Sequence, residues 1–283
     1  MIEKLKNYAV LMRLNKPIGI SLLLWPTLWA LWLATEGNPS LKVLSIFMAG
    51  VVLMRSAGCI INDFADRHVD GQVARTKTRP LVTGKVSSCE ALILFALLCV
   101  VAFILVLFLN KLTIQLAFVG AALAVFYPFM KRFTSLPQLG LGAAFSWGIP
   151  MAFAAEQQAV PMNAWLLFAT ALIWPVIYDT WYAMTDREDD IAAGIKSTAI
   201  LFGRNDRLVV GILQILFLFL LCVVGFVFHL SLFYFISLVV VFFLFGYQQV
   251  MVRTGNPQMC FQAFLNNHWV GFFIFAGIFV SYI

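Results

Sequence analysis

The chain has 283 residues, of which 62% are hydrophobic and only 11% are charged. A soluble domain usually carries about 25% charged residues, so this composition excludes a water-soluble globular protein. The formal net charge of +6 does not require a nucleic-acid partner, because basic loop residues near anionic lipid account for such an excess.

Long apolar segments follow one another along the chain, joined by short polar connections. A helix that crosses a bilayer needs about 20 mostly apolar residues. The first segment is expected to be a retained helix and not a signal peptide, because it is long and has no clear cleavage site. No linker divides the chain, so residues 1–283 are predicted to form one domain. The nine predicted transmembrane helices cover residues 17–35, 41–61, 90–109, 112–130, 138–155, 162–185, 208–228, 231–251 and 266–283.

The basic residues are distributed unevenly between the two sides of the predicted bundle. Sixteen of the nineteen Lys and Arg residues lie at the N-terminus or in loops on its side, whereas the opposite loops hold only Lys42 and Lys111. Since cytoplasmic loops are rich in Lys and Arg, we predict a cytoplasmic N-terminus and a C-terminus on the other side. No Arg- and Ser-rich transit segment precedes the first helix, which favours a bacterial inner membrane and hence a periplasmic C-terminus.

Eight of the thirteen acidic residues fall in two short stretches, each at the predicted cytoplasmic end of a helix. Within each stretch three polar residues recur at spacings of four or seven, which places them on one helix face. Like charges on one face repel, so the pattern favours divalent cations between the carboxylates, and oxygen-rich sites suit Mg²⁺. The alternative is that charges at helix ends only solvate a loop. The predicted metal ligands are Asn62, Asp66 and Asp70 in the first stretch, and Asp179, Asp186 and Asp190 in the second.

Basic residues accompany both acidic stretches. Lys131 and Arg132 directly follow the fourth predicted helix, and Arg67 and Arg75 follow the first acidic stretch. Metal ions together with Lys or Arg side chains stabilise the charge that develops on a phosphate leaving group. These four residues are the predicted diphosphate contacts, although the bias of basic residues toward cytoplasmic loops also explains many of them.

Several sequence motifs together make the chain similar to a known family. The paired aspartate motifs, Asn62-Asp63-x-x-Asp66-x-x-x-Asp70 and Tyr178-Asp179 through Asp190, resemble those of the UbiA superfamily of intramembrane prenyltransferases. The stretches 13–19, 24–30, 79–81, 127–132 and 194–203 are similar to its 4-hydroxybenzoate polyprenyltransferase branch. The resemblance covers about residues 10 to 283. One departure is Asn15, where this branch leads us to expect Asp.

The resemblance implies a fold and an activity. The fold would have nine helices around a central cavity, with cytoplasmic caps from the loops after the second and sixth predicted helices. The activity would be Mg²⁺-dependent transfer of a polyprenyl group from polyprenyl diphosphate to C3 of 4-hydroxybenzoate, in ubiquinone biosynthesis. The expected partners are these two substrates and membrane lipid, with no nucleic acid and no evident protein partner.

The resemblance and the local chemistry also suggest individual roles. Asp66 and Asp186 are predicted to be catalytic, with Asp186 removing the ring proton or activating the phenol. Arg13, Lys16 and Tyr178 are predicted to bind the aromatic substrate, although anchoring at the membrane surface explains the two basic residues equally well.

Three other functions compete with this prediction. Relatives that make menaquinone, haem O or archaeal lipid would share the aspartates and need a substrate test. A CDP-alcohol phosphotransferase is excluded, because Arg67 stands where its motif requires the first Asp. A cation transporter would place ionisable residues deep within several helices with access from both sides, whereas the acidic groups here lie on one side.

Overall fold

The structure is a computed structural model that describes residues 2–68, 70–71 and 75–283. These residues form helices and connecting turns without any β-strand, which confirms the predicted all-α class. The α-helices among the described residues are α1 (Ile2–Leu11), α2 (Ile18–Ala34), α3 (Leu41–Asp66), α4 (Ser88–Val106), α5 (Lys111–Met130), α6 (Pro137–Ser146), α7 (Gly148–Gln157), α8 (Met162–Thr185), α9 (Arg187–Ala192), α10 (Thr198–Phe202), α11 (Asp206–Val227), α12 (Leu232–Met251) and α13 (Pro257–Val280).

Most of these helices are long and apolar enough to lie in a membrane. Among the described residues seven helical stretches meet that criterion, and they contain α3, α4, α5, α8, α11, α12 and α13. The chain is therefore an integral membrane protein. Helix α2 is equally apolar but has only 17 residues. Each of the nine predicted segments is largely helical, but nine uninterrupted spans are not confirmed.

The fifth predicted segment, residues 138–155, is divided into the two ten-residue helices α6 and α7. They meet at Trp147, whose indole Nε1–H donates to the carbonyl oxygen of Leu116 on α5 at 2.8 Å. Pro150 lies in the first turn of α7, where a missing N–H costs no intrahelical hydrogen bond. The break therefore occurs at a position where the local sequence begins a new helix.

The last helix begins nine residues earlier than predicted, at Pro257 instead of residue 266. Asn256 caps it by accepting from the N–H groups of Gln258 and Met259. The sequence-based boundary was wrong because Gln258 and Gln262 interrupt the apolar pattern before residue 266. Further along the helix Asn267 is fully buried and accepts from Trp174 Nε1 at 3.1 Å, so its polar side chain is satisfied inside the bundle.

The helices form a closed ring, because α13 packs against α2 at the beginning of the bundle. Going round the ring, α2 is followed by α3, α4, α5, the α6–α7 pair, α8, α11 and α12. The main hydrophobic core lies where α8 contacts α2, α11 and α13, and it contains the buried rings of Trp29, Trp174, Trp181 and Phe217. Helices α4 and α5 bury few of their own side chains.

Two cap segments cover one end of the ring. The first comprises the described residues between α3 and α4, and the second comprises residues 186–205 between α8 and α11. In the first cap the Thr76 hydroxyl donates to the carbonyl oxygen of Asp70 at 2.7 Å. In the second cap the N–H of Lys196 donates to the carbonyl oxygen of Lys131 at 3.4 Å. Arg75 of the first cap pairs with Asp186 of the second, so the loops that were predicted to form caps lie at the same end of the bundle.

Candidate active site

A polar cavity of about 490 Å³ lies beneath the two caps. Helix α3 and the first cap form one wall, and α8, α9 and the second cap form the opposite wall. The six predicted metal ligands all line this cavity: Asn62, Asp66, Asp70, Asp179, Asp186 and Asp190. The fold thus brings together two stretches that are more than 100 residues apart in the sequence.

The carboxylates of the first wall are paired with cations. Asp63, which is only 1% exposed, accepts from Arg13 Nη2 at 2.9 and 3.0 Å and lies 3.0 Å from Arg79 Nη1. Arg79 also contacts Asp70. Asp63 is thus enclosed between two guanidinium groups and supports the positions of both.

Lys131 and Arg75 pair with the two predicted catalytic aspartates. Lys131, at the C-terminal end of α5, donates its Nζ proton to Asp66. Arg75 of the first cap donates from Nε to both carboxylate oxygens of Asp186 at 3.0 Å, and its guanidinium lies 4.6 Å from the ring centroid of Tyr182. This ion pair connects the first cap to the second.

The other two acids of the second wall have different surroundings. Asp179 lies on α8, lines the cavity together with Gln138 of α6, and forms no ion pair closer than 4.0 Å within the described part of the chain. Asp190 lies one helical turn after Asp186, since its N–H donates to the carbonyl oxygen of Asp186 at 2.8 Å. Burial, followed by the negative charge of Asp186, raises the pKa of Asp190 to about 7. This region therefore has an excess of negative charge that a cation would neutralise.

The donor atoms fit a magnesium ion that is held jointly with a diphosphate. No three Asp, Glu, His or Cys side chains of the described residues converge to hold a metal by themselves. Mg²⁺ is usually held by one or two carboxylates, with water and substrate phosphates completing its octahedron. Carboxylate and amide oxygens on two facing walls match this requirement, and a closed protein cage is not needed.

The predicted substrate-binding residues are placed differently from one another. Lys131 and Arg75 line the cavity, as do Arg13, Lys16 and Tyr178. Arg13 forms an ion pair with Asp63, and Lys16 is exposed at the cavity rim. Tyr178 is buried, and its hydroxyl has no hydrogen-bond partner among the described residues.

Arg67 and Arg132, predicted as diphosphate contacts, do not line the cavity. Arg67 donates to the carbonyl oxygen of Phe64 at 2.7 Å and lies over the Phe64 ring at 4.2 Å. Arg132 donates to the carbonyl oxygen of Ala65 and lies over the ring of Phe129. Both therefore hold the ends of α3 and α5 in place. Their neighbours Asp66 and Lys131 face the cavity, because adjacent residues on a helix point in different directions.

Arg55 and Arg79 also line the cavity, and the sequence analysis assigned no site role to either. Arg55 lies on α3, seven residues before Asn62 and thus on the same helix face. This spacing was the signal that could have identified it. Its Nη1 donates to Cys59 Sγ, whereas its buried Nε has no partner among the described residues. Arg55 therefore retains a donor that can bind an anion.

An apolar chamber of about 210 Å³ adjoins the polar cavity. Arg55, Tyr127 and Phe145 line both spaces and form the boundary between them. Small residues widen the chamber, since side chains with few atoms leave room between α3, α5 and α7. They include Gly50, Gly58, Ala117, Gly120, Ala121 and Ala124.

The sequence profile of the UbiA prenyltransferase family matches residues 23–277. The chain belongs to this family. The family predicted from the aspartate motifs is thereby confirmed, and the match includes both walls of the polar cavity and the adjoining chamber.

Curated relatives resemble the chain over almost its whole length. A "4-hydroxybenzoate octaprenyltransferase" of Psychromonas ingrahamii is 58% identical over 281 residues, which is 99% of this chain and 98% of the relative. A protein of the same name from Hahella chejuensis is 59% identical over 280 residues, which is 99% of this chain and 93% of the relative. Both names agree with the predicted activity, and the alignments leave no large unmatched region.

Solved structures share the fold. A UbiA homolog from Aeropyrum pernix K1 superimposes with a TM-score of 0.81 at 26% identity, covering 93% of this chain and 98% of that one. A UbiA homolog from Archaeoglobus fulgidus bound to DMAPP and Mg²⁺ gives a TM-score of 0.73 at 17% identity, covering 96% and 99%. At that identity the second likeness supports the fold only.

Proposed function

We propose that this chain is a Mg²⁺-dependent 4-hydroxybenzoate polyprenyltransferase of ubiquinone biosynthesis. It transfers the polyprenyl group of a polyprenyl diphosphate to C3 of 4-hydroxybenzoate and releases diphosphate. The observation that carries this proposal is that six oxygen-donor residues and several cations line one cavity that opens into an apolar chamber. The names of relatives at 58–59% identity support the choice of acceptor.

The diphosphate end of the donor binds beneath the caps. Asn62, Asp66 and Asp70 on one wall, and Asp179, Asp186 and Asp190 on the other, would hold Mg²⁺. When bound, Mg²⁺ would neutralise charge on the leaving diphosphate. Lys131, Arg75 and Arg79, which are paired with carboxylates in the structure, would then donate to the phosphate oxygens.

The prenyl chain enters the apolar chamber beside Tyr127 and Phe145. A long polyprenyl tail exceeds a space of about 210 Å³, so the remainder extends into surrounding lipid. An apolar lining keeps water away from the allylic carbon while its bond to the diphosphate oxygen breaks. The aromatic face of Tyr127 lies at the boundary, where positive charge develops on that carbon.

The acceptor binds at the boundary between the two spaces. Arg55 supplies a buried N–H donor for the carboxylate of 4-hydroxybenzoate, and the neighbouring Tyr178 hydroxyl supplies a second polar group. Ring carbon C3 forms the new bond to the allylic carbon and then loses its proton. Asp186 is the proposed proton acceptor, and Asp66 would help to hold the metal ion that binds the departing diphosphate.

The direct test is an assay of purified protein with labelled 4-hydroxybenzoate, a polyprenyl diphosphate and Mg²⁺. We expect a prenylated benzoate and released diphosphate, and Asp66→Ala or Asp186→Ala should reduce turnover by at least about 100-fold at normal expression. Glu188→Gln is the matched control, because Glu188 is an exposed acid of the second motif that does not line the cavity. Product from a naphthoate acceptor alone would refute the choice of acceptor, and near-normal rates of both Ala variants would refute the metal roles.

The membrane placement forms part of the proposal. Most basic residues lie at the end of the bundle that contains the caps, which favours a cytoplasmic N-terminus and active site and a periplasmic C-terminus in a bacterial inner membrane. A reporter fused to the C-terminus that is active only in the periplasm tests this orientation.

A further inference from the structure

Asp63 of α3 has two basic partners, whereas its neighbours Asp66 and Asp70 each have one among the described residues. Both oxygen atoms of Asp63 accept from Arg13 Nη2, at 2.9 and 3.0 Å, and Oδ1 also lies 3.0 Å from Arg79 Nη1. The residue is only 1% exposed, and both of its oxygens are already used. Asp63 is therefore poorly placed to bind a metal ion, and its role concerns the two guanidinium groups.

Arg13 lies in the turn between α1 and α2 and has a backbone conformation that is unfavourable for it. Its N–H donates to the carbonyl oxygen of Val10, and the N–H of Leu14 donates to that of Ala9, both at 3.0 Å. These two bonds form a Schellman motif, in which glycine usually occupies the position of Arg13. Arg13 has a φ of 57°, in the left-handed region that a side chain disfavours. The ion pair with Asp63 is the interaction that compensates for this backbone conformation.

Arg79 belongs to the first cap and contacts two carboxylates through the same nitrogen atom. Its Nη1 lies beside both Asp63 and Asp70. In the proposed function Asp70 binds Mg²⁺ and so leaves Arg79, whereas the buried Asp63 stays paired with it. Arg79 lines the cavity, and a guanidinium has donors on two further nitrogen atoms from which a phosphate oxygen can accept. Two guanidinium groups around one carboxylate also leave a net positive charge, which attracts an anion.

We propose that Asp63 is a positioning residue for the diphosphate. It is the permanent counter-ion that keeps Arg79, and with it the first cap, at the cavity while the other carboxylates bind metal. The proposal rests on the diphosphate role of Arg79 in the proposed function. Arg13 completes the arrangement, because its ion pair orients the Asp63 carboxylate and joins the α1–α2 turn to α3. Asn15 and Lys16 of this turn line the cavity as well, so the same ion pair places them at the site.

The first experiment replaces the Asp63 carboxylate by an amide of the same shape in the full-length protein. In Asp63→Asn the charge that holds Arg79 is lost. We therefore expect the Kd for inorganic pyrophosphate at saturating Mg²⁺ and the KM for the prenyl diphosphate each to rise by about 10- to 100-fold, as for the loss of a hydrogen bond to a charged group. The Kd for Mg²⁺ without pyrophosphate should change much less than in Asp66→Ala.

The control for this experiment is Lys6→Gln, which removes an exposed charge from α1 outside the cavity lining and should leave these constants unchanged. An unchanged Kd for pyrophosphate in Asp63→Asn would overturn the proposal. A loss of Mg²⁺ affinity as large as that of Asp66→Ala would also overturn it, because Asp63 would then act as a metal ligand.

A double variant tests whether Asp63 acts through Arg79. Arg79→Met removes the guanidinium and leaves Asp63 paired with Arg13. In this background Asp63→Asn should have little further effect on the Kd for pyrophosphate, because two residues of one ion-pair network do not contribute independently. Effects of the two substitutions that simply multiply would contradict the proposal.

A second pair of variants, at Arg13, remains informative if Asp63→Asn does not fold. Arg13→Gly and Arg13→Ala both remove the ion pair, but glycine adopts the positive φ without a steric cost and alanine does not. Arg13→Ala should therefore have the lower Tm, whereas both variants should raise the Kd for pyrophosphate by the same factor. A Kd that follows the Tm, or that stays unchanged in both variants, would overturn the proposal.

The measurements separate this proposal from the proposed function. Titrations with pyrophosphate and Mg²⁺ require no turnover, so they test Asp63 even if no prenylated benzoate forms and the enzymatic function fails. If product forms but Asp63→Asn binds pyrophosphate normally, the positioning role fails and the function stands. In Arg13→Gly the KM for 4-hydroxybenzoate should change little. A rise confined to that constant would assign Arg13 to the acceptor carboxylate and would contradict the proposal.

Discussion

At the scale of single residues, the partners of each cation determine what it is free to bind. Lys131, Arg75 and Arg79 are held by carboxylates that they would release to a metal. Arg55 has no carboxylate partner among the described residues, and its buried Nε lacks an acceptor. A guanidinium that has a buried N–H without an acceptor and no counter-ion is unfavourable, so an anionic substrate that binds there would remove this cost.

Arg55→Met should therefore weaken the binding of 4-hydroxybenzoate specifically. A hydrogen bond to a charged group contributes about 1.5–3 kcal/mol, so we expect the KM for 4-hydroxybenzoate to rise by about 10- to 100-fold. The KM for the prenyl diphosphate should change little. A phenol without the carboxylate is the matched control, since the variant and the unmodified protein should use it equally well. An equal loss for both substrates would contradict this role of Arg55.

Asp190 gives the site a pH dependence. Its pKa is raised to about 7 by burial and by the charge of Asp186, so it holds its proton below that pH in the absence of metal. Binding of a cation to Asp190 must displace this proton, so the affinity for Mg²⁺ should fall as the pH decreases below about 7 and level off above it. Unfolded Asp190 would titrate near pH 4, so the metal-free protein loses stability as the pH rises from about 4 to 7.

Calorimetric titrations of Mg²⁺ between pH 5.5 and 8.5, in buffers with different ionisation enthalpies, measure the affinity and the number of protons released. In Asp190→Asn the affinity should be lower and its dependence on pH around 7 much weaker. The same pH profile in this variant and in the unmodified protein would rule out Asp190 as the titrating group.

At the scale of the helices, an ion pair connects the second aspartate motif to the following membrane span. Arg187, the first residue of α9, contacts Asp206, the first residue of α11, and Asp206 also accepts from the N–H of Arg207. Asp206 is 6% exposed and its position suits a helix N-terminus, where a negative charge is favourable. The pair fixes the short helix that carries Asp190.

Asp206→Asn should destabilise this connection. Removing one partner of a buried pair costs about 3–5 kcal/mol, but Arg187 remains 29% exposed, so we expect about 1–3 kcal/mol and a lower Tm in detergent. The exchanged double variant Arg187→Asp/Asp206→Arg should recover part of the loss, though not all of it, because a cation is unfavourable at the start of α11. An Asn variant with unchanged Tm would show that the pair contributes little.

At the scale of the whole molecule, the site exists only where two cap segments meet. Arg75 of the first cap binds Asp186 of the second, and Lys131 at the end of α5 binds Asp66 of α3. In this arrangement the carboxylates satisfy the cations that a diphosphate would need. A metal ion bound to Asp66 and Asp186 would free Lys131 and Arg75 for a diphosphate. A diphosphate bound to Lys131 and Arg75 would in turn free the two carboxylates for a metal ion.

Mg²⁺ and pyrophosphate should accordingly bind with positive coupling, which typically amounts to about a 5- to 150-fold change in affinity. Lys131→Gln should strengthen the binding of Mg²⁺ alone, because Asp66 is freed, and should reduce the enhancement by pyrophosphate. Lys77→Gln is the control, since Lys77 is exposed, lies outside the cavity lining and carries the same charge. The affinity for Mg²⁺ is measured with and without pyrophosphate and corrected for the complex that the two form in solution. Equal affinities would contradict the proposed change of partners, in which carboxylates turn from Lys and Arg to the metal.

The sequence by itself determined the features that depend on local spacing and composition. Long apolar runs specify membrane helices wherever they fold, and residues four apart share a helix face in any context. The all-helical class and the placement of Asn62 and Asp66 on one face of α3 were therefore predictable, and the motifs were sufficient to identify the family. Asp70 was predicted on the same helix face, but α3 ends at Asp66 and Asp70 lies in the turn that follows.

Only the tertiary structure decided which groups meet. The pairing of Arg75 with Asp186 spans 111 residues, and the side-chain direction of Arg132 depends on the carbonyl oxygen of Ala65 on the neighbouring helix α3. The partner of the buried Asn267 was also not predictable, because Trp174 lies 93 residues away in the sequence. The spacing along α3 places Arg55 on the same helix face as Asn62. The sequence does not show that Arg55 lies at the boundary of two cavities with an unpaired Nε, because this depends on the packing of the bundle. Contacts between distant segments depend on how the helices pack, and spacing along the chain does not encode that.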